Sequence, residues 1–117
     1  MLERKVFVTY EAIYDIVEAR EYINQYFGAE RELQYNSDIK KEINSLSTDA
    51  MMYASSGCMY RGYIIYKKPF SPAIIFWVVK NDGVHVLRVP REEFDWQKFF
   101  DTHQDYEYEY PNNDVID

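Results

Sequence analysis

The chain has 117 residues, of which 47% are hydrophobic and 28% charged, a balance that suits one compact domain and argues against wholesale disorder. A domain of this size buries roughly two-thirds of the surface its unfolded chain exposes, and its single cysteine, Cys58, excludes an internal disulfide framework. The net charge of −7 is uneven: residues 97–117 carry six acids against Lys98, a net of −5, whereas residues 1–96 carry fourteen acids and twelve bases, a net of −2.

Val6-Phe7-Val8 reads as a short strand that ends at Thr9-Tyr10. Thr9 then suits a helix N-cap, and Glu11 falls in the first turn, where a carboxylate favours the helix dipole. Ile13, Ile16, Val17, Ile23 and Phe27 follow at helical spacing, with Arg20 completing that side, while Glu18, Glu21, Asn24 and Gln25 take the wet face. Gly28 ends the helix as a C′ residue. A second helical stretch begins at Ala29 and runs to about Leu46, with Leu33, Ile39, Ile43 and Leu46 as its apolar stripe and Tyr35 nearby. So short a connection favours an antiparallel helix hairpin.

Residues 49–58 carry no clear period, and Ser55-Ser56-Gly57 is a turn signal. The β pattern then takes over. Tyr63-Ile64-Ile65-Tyr66 lies in a strand within residues 60–67, and Pro69 and Pro72 are expected to bracket a turn, because proline donates nothing to a central ladder. Residues 73–79 form the longest wholly apolar run. Apolar on both faces, they belong in the sheet interior, and they are far too short to span a bilayer. Asn81-Asp82-Gly83 signals a tight hairpin, residues 84–89 return as a strand, and Pro90 stops it. Asp95-Trp96-Gln97-Lys98-Phe99-Phe100 adds a helical turn against the core. Beyond it, Tyr106-Glu107-Tyr108-Glu109-Tyr110 alternates with period two, and Pro111-Asn112-Asn113-Asp114 reads as loop or disorder.

The order β-α-α-β-β-β predicts an α+β fold: a two-helix hairpin packed on a small, mostly antiparallel sheet, with an acidic C-terminal tail. Residues 1–100 form the domain, and residues 101–117 form the Tyr/Glu-rich tail. The first five residues lack the apolar stretch of a secretory signal, so a cytoplasmic location is expected. No Cys/His cluster has structural-zinc spacing, and neither a phosphate loop nor the HExxH or GxSxG motif is present. No cofactor or metal is expected.

This order, with its local sequences, resembles the RelE/ParE superfamily of toxins from bacterial type II toxin–antitoxin systems. The resemblance covers about residues 5–100. It begins at Val8-Thr9-Tyr10-Glu11-Ala12 and continues through Ile23-Asn24-Gln25-Tyr26-Phe27-Gly28 and the second helix. It is clearest at Arg61-Gly62-Tyr63-Ile64-Ile65-Tyr66, Ile74-Ile75-Phe76-Trp77-Val78-Val79 and Val86-Leu87-Arg88-Val89, and closes on Asp95-Trp96. It implies one of two activities: metal-free cleavage of messenger RNA on the ribosome, or poisoning of DNA gyrase without nuclease chemistry. It also implies a cognate protein antitoxin that holds the toxin inactive. A homodimer stays open, and no membrane partner is expected.

Metal-free RNA cleavage needs a base for the 2′-hydroxyl proton, cations for the transition state and an acid for the leaving oxygen. Arg88 matches the last-strand arginine of the family, so Arg88, Arg61 and Tyr66 are the catalytic candidates, Tyr66 for proton transfer. Lys67 and Arg91 are the phosphate-binding candidates. Arg91 stands where many members carry histidine, and arginine does not shuttle protons near neutral pH. Glu92, Glu93 and Phe94 replace further basic residues and oppose a phosphate path. The C-terminal pattern is therefore the more ParE-like. Simpler roles stand beside these: Arg88 and Arg91 as salt-bridge partners of Glu92 or Glu93, His85 as a satisfied strand histidine, Cys58 as an inert thiol. The tail likewise has two readings, a solvated acidic extension or an internal nucleic-acid mimic that lays Glu107 and Glu109 over Arg61, Lys67 and Arg88. The alternative to a toxin is a non-catalytic interaction module on the same fold.

Overall fold

The computed structural model describes residues 3–111. The part of the expected loop or disorder beyond Pro111 lies outside those residues. Strand β1 (Val6–Val8) leads into helix α1 (Tyr10–Phe27), and α2 (Ala29–Asp49) returns beside it. Four strands follow, β2 (Ser55–Tyr60), β3 (Tyr63–Phe70), β4 (Ala73–Lys80) and β5 (Gly83–Arg88), and a short helix α3 (Trp96–Thr102) comes next. The sheet order is β1-β5-β4-β3-β2, with β1 parallel to β5 and every other pair antiparallel. The α+β architecture expected from the sequence is present, enlarged by β2, and the helical turn expected at residues 95–100 is α3.

Local chemistry sets the element ends. The Thr9 hydroxyl accepts from the Ala12 amide at 2.9 Å and donates to the Leu87 carbonyl at 2.8 Å, so one buried side chain caps α1 and ties it to β5. Gly28 closes α1 at φ 93°, ψ 170°, a region open essentially to glycine, and its amide donates to the Asn24 carbonyl. Gly83 brings the β4–β5 turn against the N-terminal strand. A Cβ there would lie 2.5 Å from the Lys5 carbonyl oxygen, which accepts from the Val84 amide.

Both sheet faces are covered. On one, Ala12, Ile16, Ala19 and Ile23 of α1 and Tyr35, Ile39, Ile43 and Leu46 of α2 meet Ile75, Trp77, Val84 and Val86. On the other, Cys58, Tyr60, Ile65, Phe76, Val78 and Leu87 pack under Phe100 of α3, with Trp96, Phe99 and Tyr108 at the margin.

The structure corrects several local expectations. Val17, Phe27 and Leu33 are exposed, because α1 turns Ala12, Ile16, Ala19 and Ile23 inward and α2 turns Tyr35, Ile39, Ile43 and Leu46 inward. Ser55-Ser56-Gly57 is a strand bulge rather than a turn: Gly57 has φ 85°, and the β2–β3 register shifts between Ser55 and Cys58. Pro69 lies inside β3, paired with Ile74, but β2 pairing ends at Ser55–Tyr66. Beyond that point β3 is an edge and needs no donor. Helix α2 continues three residues past Leu46, to Asp49.

Candidate functional site

The register sorts the candidate residues. Lys67 pairs with Phe76, and Phe76 pairs with Arg88, so the three form one row across β3, β4 and β5, its ends about 10 Å apart. Arg88 joins this row because β5 carries an extra residue. Trp77 pairs with Val86 but Phe76 with Arg88, and the intervening Leu87 bulges the strand, turning Leu87 and Arg88 toward α3. Helix α3 roofs the row with aromatic rings: the Lys67 ammonium lies 5.1 Å from the Trp96 ring, Trp96 packs on Phe76 at 5.1 Å, and the Arg88 guanidinium lies 4.8 Å from Phe99 and 4.9 Å from Phe94.

Tyr66 does not join them. One residue before Lys67 in the strand, it points to the opposite face, stacked on Trp77 at 6.0 Å with its hydroxyl against the Met51 sulfur. Arg61 sits at the β2–β3 turn with φ 49°, away from the row. Arg91 lies past β5 in an isolated bridge to Ala73. The structure thus brings Lys67 and Arg88 into one row, sets Arg91 beside Arg88 in a shallow cleft shared with Asp15, Glu93 and Phe94, and leaves Tyr66 and Arg61 apart from them.

Two of the four candidate cations are paired with acids, and a third, Arg61, is held by carbonyls. Arg88 donates Nε to Asp15 Oδ2 at 2.7 Å and Nη2 to Oδ1 at 3.0 Å, a bidentate pair in which both side chains are mostly buried. Asp15 Oδ2 also accepts from the Val89 amide at 2.9 Å. Burial opposes the Arg88 charge, yet the bonds it donates to Asp15 and the nearby negative charge leave its pKa raised above the ordinary arginine value. Arg88 therefore pairs with α1 rather than with Glu92 or Glu93. Arg91 does pair with Glu93, at 2.6 Å, and lies 3.9 Å from the Tyr22 ring. The guanidinium of Arg61 donates to three main-chain carbonyls of the C-terminal segment: Nε to Gln104 at 3.2 Å, Nη2 to Asp105 at 3.1 Å and Nη2 to Tyr106 at 3.4 Å. Among the described residues, no ion pair joins Glu107 or Glu109 to a cation, so the segment contributes carbonyls to Arg61 where the mimic reading expected carboxylates.

His85 is buried at the sheet margin between two partners, Tyr110 Oη at 2.7 Å from Nδ1 and Asp82 Oδ1 at 2.7 Å from Nε2, with Phe7 stacked on its ring. The bond from His85 holds the Asp82 carboxyl below its usual range. Burial pushes the Cys58 thiol up, away from thiolate chemistry. On the helix side, a cleft lined by Tyr22, Phe27, Arg31, Phe70 and Pro72 has the Tyr35 hydroxyl buried at its floor, with no hydrogen-bond partner among the described residues. Burial there raises the Tyr35 pKa to about 12. No group of three or more His, Cys, Asp or Glu residues suited to a metal ion occurs among the described residues. No described helix is long and apolar enough to cross a membrane.

Sequence reasoning missed Asp15, Glu11 and Gln104. An acid on a helix carries no linear sign that it will meet an arginine 73 residues later. The period-two tyrosines did signal an extended segment, though not what it touches.

No protein-family model matches the chain, and no curated protein matches it. Among solved structures, it is similar to a chain from the structure described as "Chromosomal ParDE TA system from P. aeruginosa", at 20% identity and a TM-score of 0.64, over 76% of this chain and 96% of that one. The chain has the fold of that ParDE component, a two-helix hairpin on a mostly antiparallel sheet.

Proposed function

We propose that this chain is the toxin component of a type II toxin–antitoxin system, that it acts by engaging a protein target of the gyrase kind rather than by cutting messenger RNA, and that a protein antitoxin neutralises it. The likeness in fold to a chain of the ParDE system supports the first part. One observation carries the choice of mechanism: Tyr66 and the Lys67–Arg88 row lie on opposite faces of the sheet. A proton-transfer group and the cations that must stabilise the same transition state have to converge on one phosphate, and these do not.

Inducible expression in a bacterial host tests the reading. Growth arrest with intact messages and double-strand DNA breaks, relieved by co-expressing a small adjacent reading frame, is the expected result. Arrest with cleaved messages would transfer the chain to the ribosome-dependent class. Harmless expression would favour a non-catalytic interaction module on the same fold, for which the Asp15–Arg88 pair offers a purely structural role.

A further inference from the structure

After α3 the chain does not leave the domain. It runs back over the second sheet face as an extended segment, and both its backbone and its alternate side chains are gripped. At one end the Arg61 guanidinium collects the carbonyls of Gln104, Asp105 and Tyr106, the Arg61 amide donates to Gln104 Oε1, and the Tyr60 hydroxyl donates to the Tyr106 carbonyl. In the middle, Glu11 accepts from the Tyr106 hydroxyl at 2.5 Å and from the Glu109 amide at 3.3 Å. The Tyr10 amide, one of the donors that the first turn of a helix leaves unpaired, gives its hydrogen to the Glu109 carbonyl at 2.8 Å. At the far end Tyr110 meets His85. Tyr108 turns inward, edge-on to Tyr60 at 5.2 Å, while Glu107 and Glu109 face solvent.

Two features separate this segment from the fold that carries it. It joins no ladder: separate bonds to side chains, to the Tyr10 and Arg61 amides and to the Met59 carbonyl hold it, and the five-stranded sheet is complete without it. It also contributes nothing to the helix-side core and only Tyr108 to the margin of the other. A groove that binds main-chain groups along one line and aromatic side chains at every second position has the chemistry of a peptide site.

We infer that the groove formed by Tyr10, Glu11, Tyr60, Arg61 and His85 binds an extended peptide segment of a partner protein carrying aromatic residues at alternate positions, and that residues 104–110 occupy it in cis as a built-in competitor. The inference goes beyond the proposed function and stands whether or not the chain is toxic. A tethered segment presents an effective concentration on the order of 1 mM. An incoming peptide of equal intrinsic strength, with a dissociation constant of about 10 µM, would therefore bind the intact chain roughly a hundredfold more weakly than it binds the emptied groove.

The test uses the full chain and a fluorescent peptide copying residues 103–111. Binding should be weak to the unaltered protein and at least tenfold tighter when Tyr108→Ala and Tyr110→Ala loosen the cis segment. Adding Arg61→Ala should then lose that gain, as should a peptide with alanine in place of its tyrosines. No gain on loosening, a gain indifferent to Arg61, or displacement of the peptide by single-stranded RNA of similar length would overturn the inference. If the doubly altered chain fails to fold, hydrogen exchange on the unaltered protein decides. The Tyr10 and Glu109 amides should exchange at least a hundredfold faster than amides in β4 and β5. Equal protection would mean that the segment opens only when the whole domain unfolds, which excludes a replaceable ligand.

Discussion

Arg88 owes its place to Asp15. A guanidinium beneath Phe94 and Phe99 with 16% of its side chain exposed is held by a carboxylate with 14% exposed, and the same oxygen that binds Nε also satisfies the Val89 amide. Asp15→Ala should strip the partner from a largely buried cation and cost about 3 kcal/mol in urea denaturation. The joint change Asp15→Leu with Arg88→Met should cost distinctly less, because the charge goes with its partner and only the Val89 amide is orphaned. A joint cost as large as that of Asp15→Ala would mean the pair is not the unit described. Tyr35 illustrates the converse. Its hydroxyl is buried without a partner among the described residues, so Tyr35→Phe should leave stability unchanged or raise it by about 1 kcal/mol, whereas a loss of that size would reveal an unseen bond. The place of Tyr35 beside the apolar stripe of α2 was legible beforehand, but its unpartnered hydroxyl and the role of Asp15 were not. The sequence pointed to Arg88 through its strand position, but Asp15 is one acid among many on α1, and which acid closes on which base is decided only when the helix docks.

At the scale of elements, legibility followed local chemistry. The Thr9 cap, the Gly28 stop and the Asn81-Asp82-Gly83 hairpin were readable because each depends on a few adjacent residues. The two bulges were not, because a bulge is a mismatch between strands that no single strand announces. The second of them, at Leu87, decides that Arg88 shares a row with Lys67. The C-terminal segment was half legible: period two gave its extended form, while its hold on Arg61, Glu11 and His85 needed the tertiary structure. That hold implies an alkaline limit. The bond to Glu11 raises the Tyr106 pKa to about 12, and burial raises Tyr35 to the same value, both from an unfolded value of 10.0. The folded state therefore keeps protons that the unfolded chain releases, so the stabilisation is complete below pH 10 and is lost as pH rises through 12. Urea midpoints should decline gently from about pH 8 to 9.5, as the unfolded Cys58 thiol ionises while the buried one does not, and fall steeply above 10, and protection of the Glu109 amide should fall first. A midpoint that rises above pH 10 would contradict the assignment.

For the molecule as a whole, the question posed by a charge of −7 becomes one of available cations. Nucleic acid binds where lysines and arginines displace counterions from consecutive phosphates, and each such contact steepens the salt dependence. Here Arg88 is spent on Asp15, Arg91 on Glu93, Arg61 on three carbonyls and Lys68 on Glu42, which leaves Lys67 over Trp96 as the one cation of the shared row without an acid partner among the described residues. One such cation gives this row little phosphate affinity of its own, and the other lysines and arginines without an acid partner among the described residues, Arg4, Lys5, Arg31, Lys40, Lys41, Lys80 and Lys98, lie outside it. Fluorescence anisotropy with a labelled single-stranded RNA should show binding weaker than about 10⁻⁴ M at 150 mM salt, and a log–log salt slope of about one or less between 50 and 200 mM. Lys67→Ala should remove the part of it that the row contributes, while Arg88→Ala should change it little beyond its effect on folding. A slope of three or more that drops on Arg88→Ala would mean that the ion pairs open to admit phosphate, and would return the RNA-cleaving reading to contention against the one drawn from the two faces of the sheet.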